Sequence, residues 1–129
     1  MLRFAVLGSN AARDYNIRFA PMTQPQKKTR REMLQEFVAA RPGDAFARYG
    51  LAMECANSGD AAAAGEHFQV LFNEHPDYVA AYFQYGQFLA RTGDREAARS
   101  ILGKGIRVAQ RVGNDHARAE MEAALAELQ

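Results

Sequence analysis

The chain repeats itself after 34 residues, and this period limits the fold more than any other feature of the sequence. Between residues 42–75 and 76–109, seven of the 34 positions are identical, and they fall at turn signals and small residues rather than at scattered positions. The pairs are Pro42 and Pro76, Ala47 and Ala81, Ala56 and Ala90, Gly59 and Gly93, Asp60 and Asp94, Ala63 and Ala97, and Ala64 and Ala98. A glycine that ends one helix, followed directly by an aspartate that caps the next, predicts a unit of helix, short turn and helix.

Apolar residues at helical spacing between these turn signals predict six α-helices. Their expected bounds are 28–40, 45–57, 61–74, 79–91, 95–111 and 115–128. Thr29, followed three residues later by Glu32, is typical of a capping box and predicts the start of the first helix. The caps expected for three later helices are Asp44, Asp77 and either Asn114 or Asp115. The chain is therefore expected to be all-α.

The period and the two-helix unit resemble those of the tetratricopeptide repeat. At the positions of the family pattern, the first unit carries Arg48, Leu51, Ala52, Cys55, Ala64, Phe68 and Pro76. The second unit carries Tyr82, Tyr85, Gly86, Leu89, Ala98 and Leu102, with Gln110 in place of the closing proline. Without that proline, the helix at Gln110 is expected to continue toward Gly113. The resemblance implies a short right-handed α-solenoid of antiparallel helix pairs, with two full units and a capping helix at each end.

Small residues in both units predict close approaches between helices. In the first unit we expect Ala52 to face Ala64, and in the second unit we expect Gly86 to face Ala98. Gly105 falls at another small-residue position, so it is interpreted as a packing residue. A larger side chain at such a position would overpack the contact and cost about 1–3 kcal/mol.

The sequence divides into two expected parts. Residues 1–25 do not follow the repeat pattern and are expected to form a flexible N-terminal tail, with Met22 as an alternative start of the chain. Residues 26–129 are expected to form the helical repeat domain, with repeats at about 45–78 and 79–112 and a capping helix at 114–128. Residues 1–43 carry a net charge of +5 and the remaining residues one of −4, so a basic arm precedes an acidic body.

The resemblance also implies the class of function, which is protein–protein interaction. Tetratricopeptide arrays bind a peptide or protein segment on the concave face that the first helices of the units line. The residues expected at that groove are Phe46, Tyr49, Met53, Asn57, Phe83, Gln84, Gln87, Arg91, Arg118 and Met121. Aromatic and arginine side chains are the usual energetic anchors of such a face. The alternative is a homo-oligomeric assembly protein in which two copies pair through the same face.

The other classes of function find little support in the sequence. The three histidines, His67, His75 and His116, show no metal-binding spacing of three or four residues, and no catalytic or phosphate-binding motif is present. We therefore expect no enzyme activity, no metal and no cofactor. The single cysteine, Cys55, is interpreted as an inert core thiol, and a lone thiol favours the cytoplasm.

A basic cluster is formed by Lys27, Lys28, Arg30 and Arg31. The favoured interpretation is a solvated start of the first helix. The cluster could instead pair with the acidic body of the chain, or contact nucleic acid or an acidic membrane surface. The net charge of +1 and the absence of interleaved aromatic residues argue against nucleic acid. No membrane span is expected, because no apolar run approaches the length that one requires.

Overall fold

The computed structural model describes residues 27–129, and within them it shows six α-helices and no strand. The helices are α1 (Arg30–Ala40), α2 (Ala45–Asn57), α3 (Ala61–Glu74), α4 (Val79–Arg91), α5 (Arg95–Val112) and α6 (Asp115–Glu127). Every bound lies within two residues of the prediction. The predicted tail at 1–25 and the alternative start Met22 lie outside the described residues.

Three turns use a glycine in the left-handed conformation to end one helix and begin the next. Gly59, Gly93 and Gly113 have φ angles of 81°, 93° and 77°, which glycine adopts without a steric cost. The residue after each glycine caps the following helix by accepting a backbone N–H three residues on. These caps are Asp60 to Ala63, Asp94 to Ala97 and Asn114 to Ala117. The glycine-then-cap signal therefore predicted all three turns correctly.

The cap of α4 departs from the prediction, because Asp77 does not occupy the cap position. The helix begins at Val79, so the cap position falls on Tyr78, whose side chain makes no capping hydrogen bond. The carboxylate of Asp77 instead pairs with the guanidinium of Arg111 on α5. The end of α5 is as predicted, since without a proline this helix runs on to Val112 and ends at Gly113.

The helices pack as successive antiparallel neighbours around two apolar clusters. The first cluster lies among α1, α2, α3 and α4 and includes Val38, Leu51, Cys55, Phe68 and Leu71. The second lies among α4, α5 and α6 and includes Tyr82, Ile101, Leu102, Met121 and Leu128. Two side chains, Phe72 and Tyr85, pack against both clusters and so join them.

Small residues mark the closest approaches, as the sequence predicts. Ala52, Ala64 and Ala98 are fully buried. An added Cβ at Gly86 would stand 2.6 Å from a methyl of Leu102, so the nearest neighbour of this glycine is Leu102, one turn beyond the expected Ala98. Gly105 is confirmed as a packing residue, because α4 and α6 both press against it.

The basic cluster at the start of α1 pairs with acidic groups of the same chain. Lys28 contacts Glu36 at 2.6 Å, Arg30 contacts Glu54 of α2 at 3.5 Å, and Arg31 contacts Asp60 at 2.8 Å. The pairing with the acidic body was one of the alternatives that the sequence left open. It holds the start of α1 against the end of α2 and the start of α3.

Candidate functional site

The first helices of the units lie side by side and form one continuous face. α2 packs against α4, and α4 packs against α6. We call the surface shared by α2, α4 and α6 the first-helix face. It is built this way because α3 and α5, the second helix of each unit, pack behind it through the two apolar clusters.

The first-helix face carries a recess of about 320 Å³ between α4 and α6. Its lining residues are Val79, Ala80, Phe83, Gln84, Asn114, His116, Ala117 and Glu120. Phe83 and Gln84 are therefore brought together in a concave site, as the sequence predicts them to be on one face. The lining of the recess combines apolar side chains with amide, imidazole and carboxylate groups.

Sequence reasoning missed the wall of the recess that α6 contributes. His116, Ala117 and Glu120 line it, whereas Arg118 and Met121 were expected to. The 34-residue period did hold a signal for this wall, since Ala117 stands one period after Phe83. Carrying that position over to α6 would have found Ala117.

The two α6 residues expected in the groove differ in outcome: the prediction for Met121 is wrong, and the one for Arg118 stays a prediction. Met121 is fully buried, because it fills the space left by Gly105 on α5. The guanidinium of Arg118 pairs with its own helix, at 3.0 Å from Glu122 and 3.7 Å from Asp115. Neither side chain lines the recess.

Gln87 and Arg91 stand at a second, smaller recess of about 160 Å³ near the carboxyl end of α4. Its other lining residues are Gly86, Ala90, Leu102, Ala124, Glu127 and Leu128. The guanidinium of Arg91 lies 5.9 Å from the centre of the Phe88 ring, within the range of a cation–π contact. The two recesses follow the same pair of helices, α4 and α6.

The α2 part of the first-helix face presents aromatic and polar side chains without a recess of its own among those described. Phe46 is 77% exposed and Asn57 is exposed, while Met53 is half-buried. Tyr49 packs its ring 5.2 Å from that of Tyr78, and burial, with Tyr78 beside it, raises the pKa of the Tyr49 hydroxyl. Tyr49 is thus partly a packing residue.

Carboxylates surround the amino-terminal end of the α4–α6 recess, and each has a cationic or titratable partner. A shallow depression of about 740 Å³ adjoins the recess and includes Asp77 and Asp115. Asp77 pairs with Arg111, and the Glu120 carboxylate lies 3.2 Å from Nε2 of His116. A cationic group of a ligand would therefore compete with these pairs rather than meet unpartnered charge.

The remaining chemically capable side chains serve the packing of the fold. Cys55 is fully buried, and burial raises the pKa of its thiol, which keeps it in the unreactive protonated form. Nδ1 of His67 lies 3.2 Å from a guanidinium nitrogen of Arg48.

Across residues 27–129 no three His, Cys, Asp or Glu side chains gather as a metal site. None of the helices described is both long and apolar enough to cross a membrane.

Comparison with known proteins agrees with this architecture. The sequence profile of the tetratricopeptide repeat matches residues 56–128. The chain is similar to a tetratricopeptide repeat domain protein from Salinibacter ruber, whose solution structure is 31% identical over 68% of this chain and 89% of that one, with a TM-score of 0.64. The chain is also similar to a tetratricopeptide repeat domain protein from that organism whose crystal structure is known. The two sequences are 30% identical over 66% of this chain and 94% of that one, with a TM-score of 0.60.

A protein from Bordetella parapertussis shares the fold over a larger part of the chain. Its solution structure is 25% identical over 79% of this chain and 89% of that one, with a TM-score of 0.69. No curated protein matches the sequence.

Proposed function

The chain belongs to the tetratricopeptide repeat family, and on that premise we propose that it is an adaptor that binds a peptide or protein segment on the first-helix face. Members of the family serve in general as protein-interaction modules, since stacked helix pairs create extended binding surfaces.

The recess between α4 and α6 is the observation that carries the proposal. Phe83, Val79 and Ala117 offer an apolar surface on which a ligand side chain gains free energy by leaving water. Gln84 and Asn114 present amides that can hydrogen-bond a peptide backbone beside it. A buried anchor ringed by polar contacts is the usual anatomy of a small protein interface.

The α2 side chains extend this surface along the first-helix face. Phe46, Tyr49, Met53 and Asn57 would contact the segment beyond the recess, and Gln87 and Arg91 would contact it at the carboxyl end of α4. Tyr49 corresponds to Phe83 by the 34-residue period, so the two rings occupy equivalent places in the two units. A segment lying across α2 and α4 would meet both.

A pull-down with a groove variant and a matched control tests the proposal. The groove variant carries Phe83→Ala and Gln84→Ala, and the control carries Gln69→Ala and Gln110→Ala at exposed positions of α3 and α5. Tyr49 is left intact, because its loss would disturb the packing against Tyr78. Circular dichroism checks that each variant is folded.

We expect one protein to bind the wild type and the control, and to bind the groove variant about thirtyfold or more weakly, as truncation of an interface hot spot does. Its affinity should then be measured with purified partner by titration calorimetry. A partner that binds all three forms equally would contradict the placement of the site. Loss of binding in the control alone would place the interface on the second helices.

Homo-oligomerisation through the same face is the second candidate, and the exposure of Phe46 favours it. This phenylalanine is 77% exposed, so pairing of copies over it would remove apolar surface from water. Sedimentation at rising protein concentration separates the candidates. A mass that rises in the wild type but not in Phe46→Ala would support pairing of copies, and a constant monomer mass would contradict it.

The proposal includes a non-enzymatic, cofactor-free role in the cytoplasm. The single buried thiol favours a reducing compartment. Nucleic acid is a poor candidate partner, because Lys28, Arg30 and Arg31 already pair with carboxylates of the chain. A partner protein bound on the first-helix face remains the function that the geometry supports best.

A further inference from the structure

Three carboxylates line the α4–α6 recess and the depression that adjoins it, and they differ in what neutralises them. Asp77 pairs with Arg111, and Asp115 lies 3.7 Å from the guanidinium of Arg118. In the described part of the chain, no Lys or Arg nitrogen lies within ion-pair distance of the Glu120 carboxylate. The Glu120 carboxylate therefore lacks a permanent cationic partner there.

The partner of Glu120 is the imidazole of His116, one turn before it on α6. Nε2 of His116 lies 3.2 Å from Oε1 of Glu120, and the imidazole is positively charged only when it is protonated. An imidazole is the side chain whose charge changes in the range from about pH 5 to pH 8. The other charged or titratable groups that line the recess and the depression with His116 are Asp77, Tyr78 and Asp115. A neutral His116 thus leaves the negative charge of Glu120 uncompensated beside the recess.

The same recess offers an apolar surface against which a ligand side chain can pack. Phe83 and Val79 of α4 line it together with Ala117 of α6, which lies three residues before Glu120. Residues three apart on a helix are neighbours, so Ala117 and Glu120 belong to one wall. An apolar cavity of about 150 Å³ holds a benzene molecule. The recess of about 320 Å³ therefore has room for one aromatic or branched aliphatic side chain.

We propose that the α4–α6 recess selects a segment in which a large apolar side chain has a lysine or arginine close to it, that Glu120 holds this cation, and that protonation of His116 weakens the binding. This ligand class rests on the proposed function, since it specifies the chemistry of the segment that the recess would bind. A ligand carboxylate at the same place would be repelled by Glu120, and the two arginines nearby, Arg111 and Arg118, are already engaged by carboxylates of the chain.

Acidification acts through competition for one carboxylate. When His116 is neutral, the ligand cation alone is attracted to Glu120. When His116 is protonated, its imidazolium pairs with the same carboxylate and the ligand cation must displace it. Binding is therefore stronger at pH 7.5 than at pH 5.5. The difference should vanish in His116→Gln, because a glutamine side chain takes up no proton in this range.

A phage-displayed library of random linear peptides tests the preference directly. The wild type, Glu120→Gln and Glu96→Gln each serve as bait at pH 7.5. Glu96→Gln is the matched control, since it removes the same charge from an exposed position in the first turn of α5, outside the lining of the recess. The groove variant with Phe83→Ala and Gln84→Ala is the fourth bait. Circular dichroism checks that every bait is folded.

We expect the peptides selected by the wild type and by Glu96→Gln to carry Lys or Arg close to a large apolar residue more often than the unselected library does, and Glu120→Gln to lose this enrichment. A synthetic peptide from the wild-type selection should bind Glu120→Gln about threefold more weakly, which is the size of an exposed ion pair. For the wild type and Glu96→Gln, its affinity should fall about threefold between pH 7.5 and pH 5.5. For His116→Gln, the affinity should be the same at both values.

Peptides that require Phe83 and Gln84 but carry no excess of basic residues would overturn the ligand class and leave the proposed function standing. Equal affinity for the wild type and Glu120→Gln would do the same. Acid sensitivity that persists in His116→Gln would overturn the role given to His116. Peptides that bind the groove variant as well as the wild type, or a selection that yields no binding peptide, would overturn the ligand class and the proposed binding site together.

Discussion

Gly105 shows at the scale of one residue how tightly the second unit is packed. An added Cβ would stand 2.4 Å from the sulfur of Met121 and 2.6 Å from the Cβ of Tyr82. The Tyr82 Cβ is fixed to the backbone of α4, so the helices themselves would have to separate. We expect Gly105→Ala to lower the free energy of unfolding by about 1–3 kcal/mol, measured by urea denaturation.

Gly103 offers a control for that prediction on the same helix. Among the described side chains, the nearest atom to an added Cβ there is a guanidinium nitrogen of Arg107, at an ordinary 3.8 Å. Alanine is the better helix former, so Gly103→Ala should raise the free energy of unfolding by about 0.5–1 kcal/mol. Equal stability of the two alanine variants would refute the close approach at Gly105.

We expect His67 to make the stability of the folded chain depend on pH. Burial lowers the pKa of His67 from its ordinary value of 6.5, and the positive charge of Arg48 lowers it further. The negative charge of Glu66 raises this pKa, and the positive charge of Arg31 lowers it. The unfolded chain therefore binds a proton more readily than the folded chain does. The stability linked to His67 is complete well above pH 6.5 and is lost as the pH falls through and below that value.

The corresponding measurement is the urea unfolding free energy between pH 7.5 and pH 5. We expect the free energy of unfolding to decrease as the pH is lowered in the wild type, and to decrease less steeply in His67→Gln. His116→Gln is the matched control, since that imidazole is 87% exposed beside Glu120. A slope that is the same in His67→Gln and the wild type would exclude this origin.

The 34-residue period predicted the role of a residue correctly where a single physical requirement selects the residue type. Gly59 and Gly93 could be predicted because left-handed backbone and a following cap require particular residue types. Met121 could not be placed, because core and groove positions share the same apolar character and the same helical spacing. Asp77 was misplaced as the cap because α4 begins at Val79, as predicted, and the cap position directly before that residue is Tyr78.

At the scale of the helix, two arginines at the start of α1 pair with carboxylates outside that helix. Basic residues at the start of α1 oppose the helix dipole. Arg30 and Arg31 nevertheless occupy that end because Glu54 and Asp60 lie across from them. Their partners are far away along the chain, so the sequence could offer this pairing only as one alternative among several.

The carboxyl end of α6 is held by two arginines of α5. Arg95 and Arg99 donate to the carbonyl oxygen of Leu128 at 2.9 Å and 3.3 Å. A cation near a helix carboxyl end contributes about 0.3–1 kcal/mol. We expect Arg95→Gln with Arg99→Gln to speed amide hydrogen exchange in the last turn of α6, while α2 and α3 exchange as before.

Arg107→Gln, at an exposed position of the same helix, is the control for that exchange measurement. It removes one positive charge from the same helix without touching Leu128. Unchanged exchange at the end of α6 in the double variant would show that the arginines do not hold it. Faster exchange throughout the molecule would show instead that they act on the whole fold.

At the scale of the whole molecule, stacked aromatic rings join the two units. The ring centres of Phe68 and Tyr85 are 4.7 Å apart, with an interplanar angle of 20°. The ring centres of Phe72 and Tyr82 are 4.4 Å apart, with an interplanar angle of 24°. The hydroxyl of Tyr82 also donates to the carbonyl oxygen of Pro76 at 2.8 Å. Since neighbouring units of a solenoid stabilise each other through such interfaces, the stack couples the unfolding of the two clusters.

Phe72→Ala should weaken this coupling. We expect it to lower the free energy of unfolding by about 1–3 kcal/mol, less than a fully buried phenylalanine would cost, and to broaden the urea transition. Val38→Ala, which touches the first cluster only, should lower the midpoint and keep the wild-type steepness. A transition in Phe72→Ala as steep as that of the wild type would refute coupling through the stack.

The stack also makes the protein its own optical probe. The chain has no tryptophan and five tyrosines, so tyrosine dominates its near-ultraviolet signal. Tyr82 and Tyr85 lie in the aromatic stack, and Tyr49 and Tyr78 pack against each other beside the first-helix face. Fluorescence and near-ultraviolet dichroism therefore report on the junction of the units and on the proposed binding surface, and the arrival of a ligand can be followed without attaching a dye.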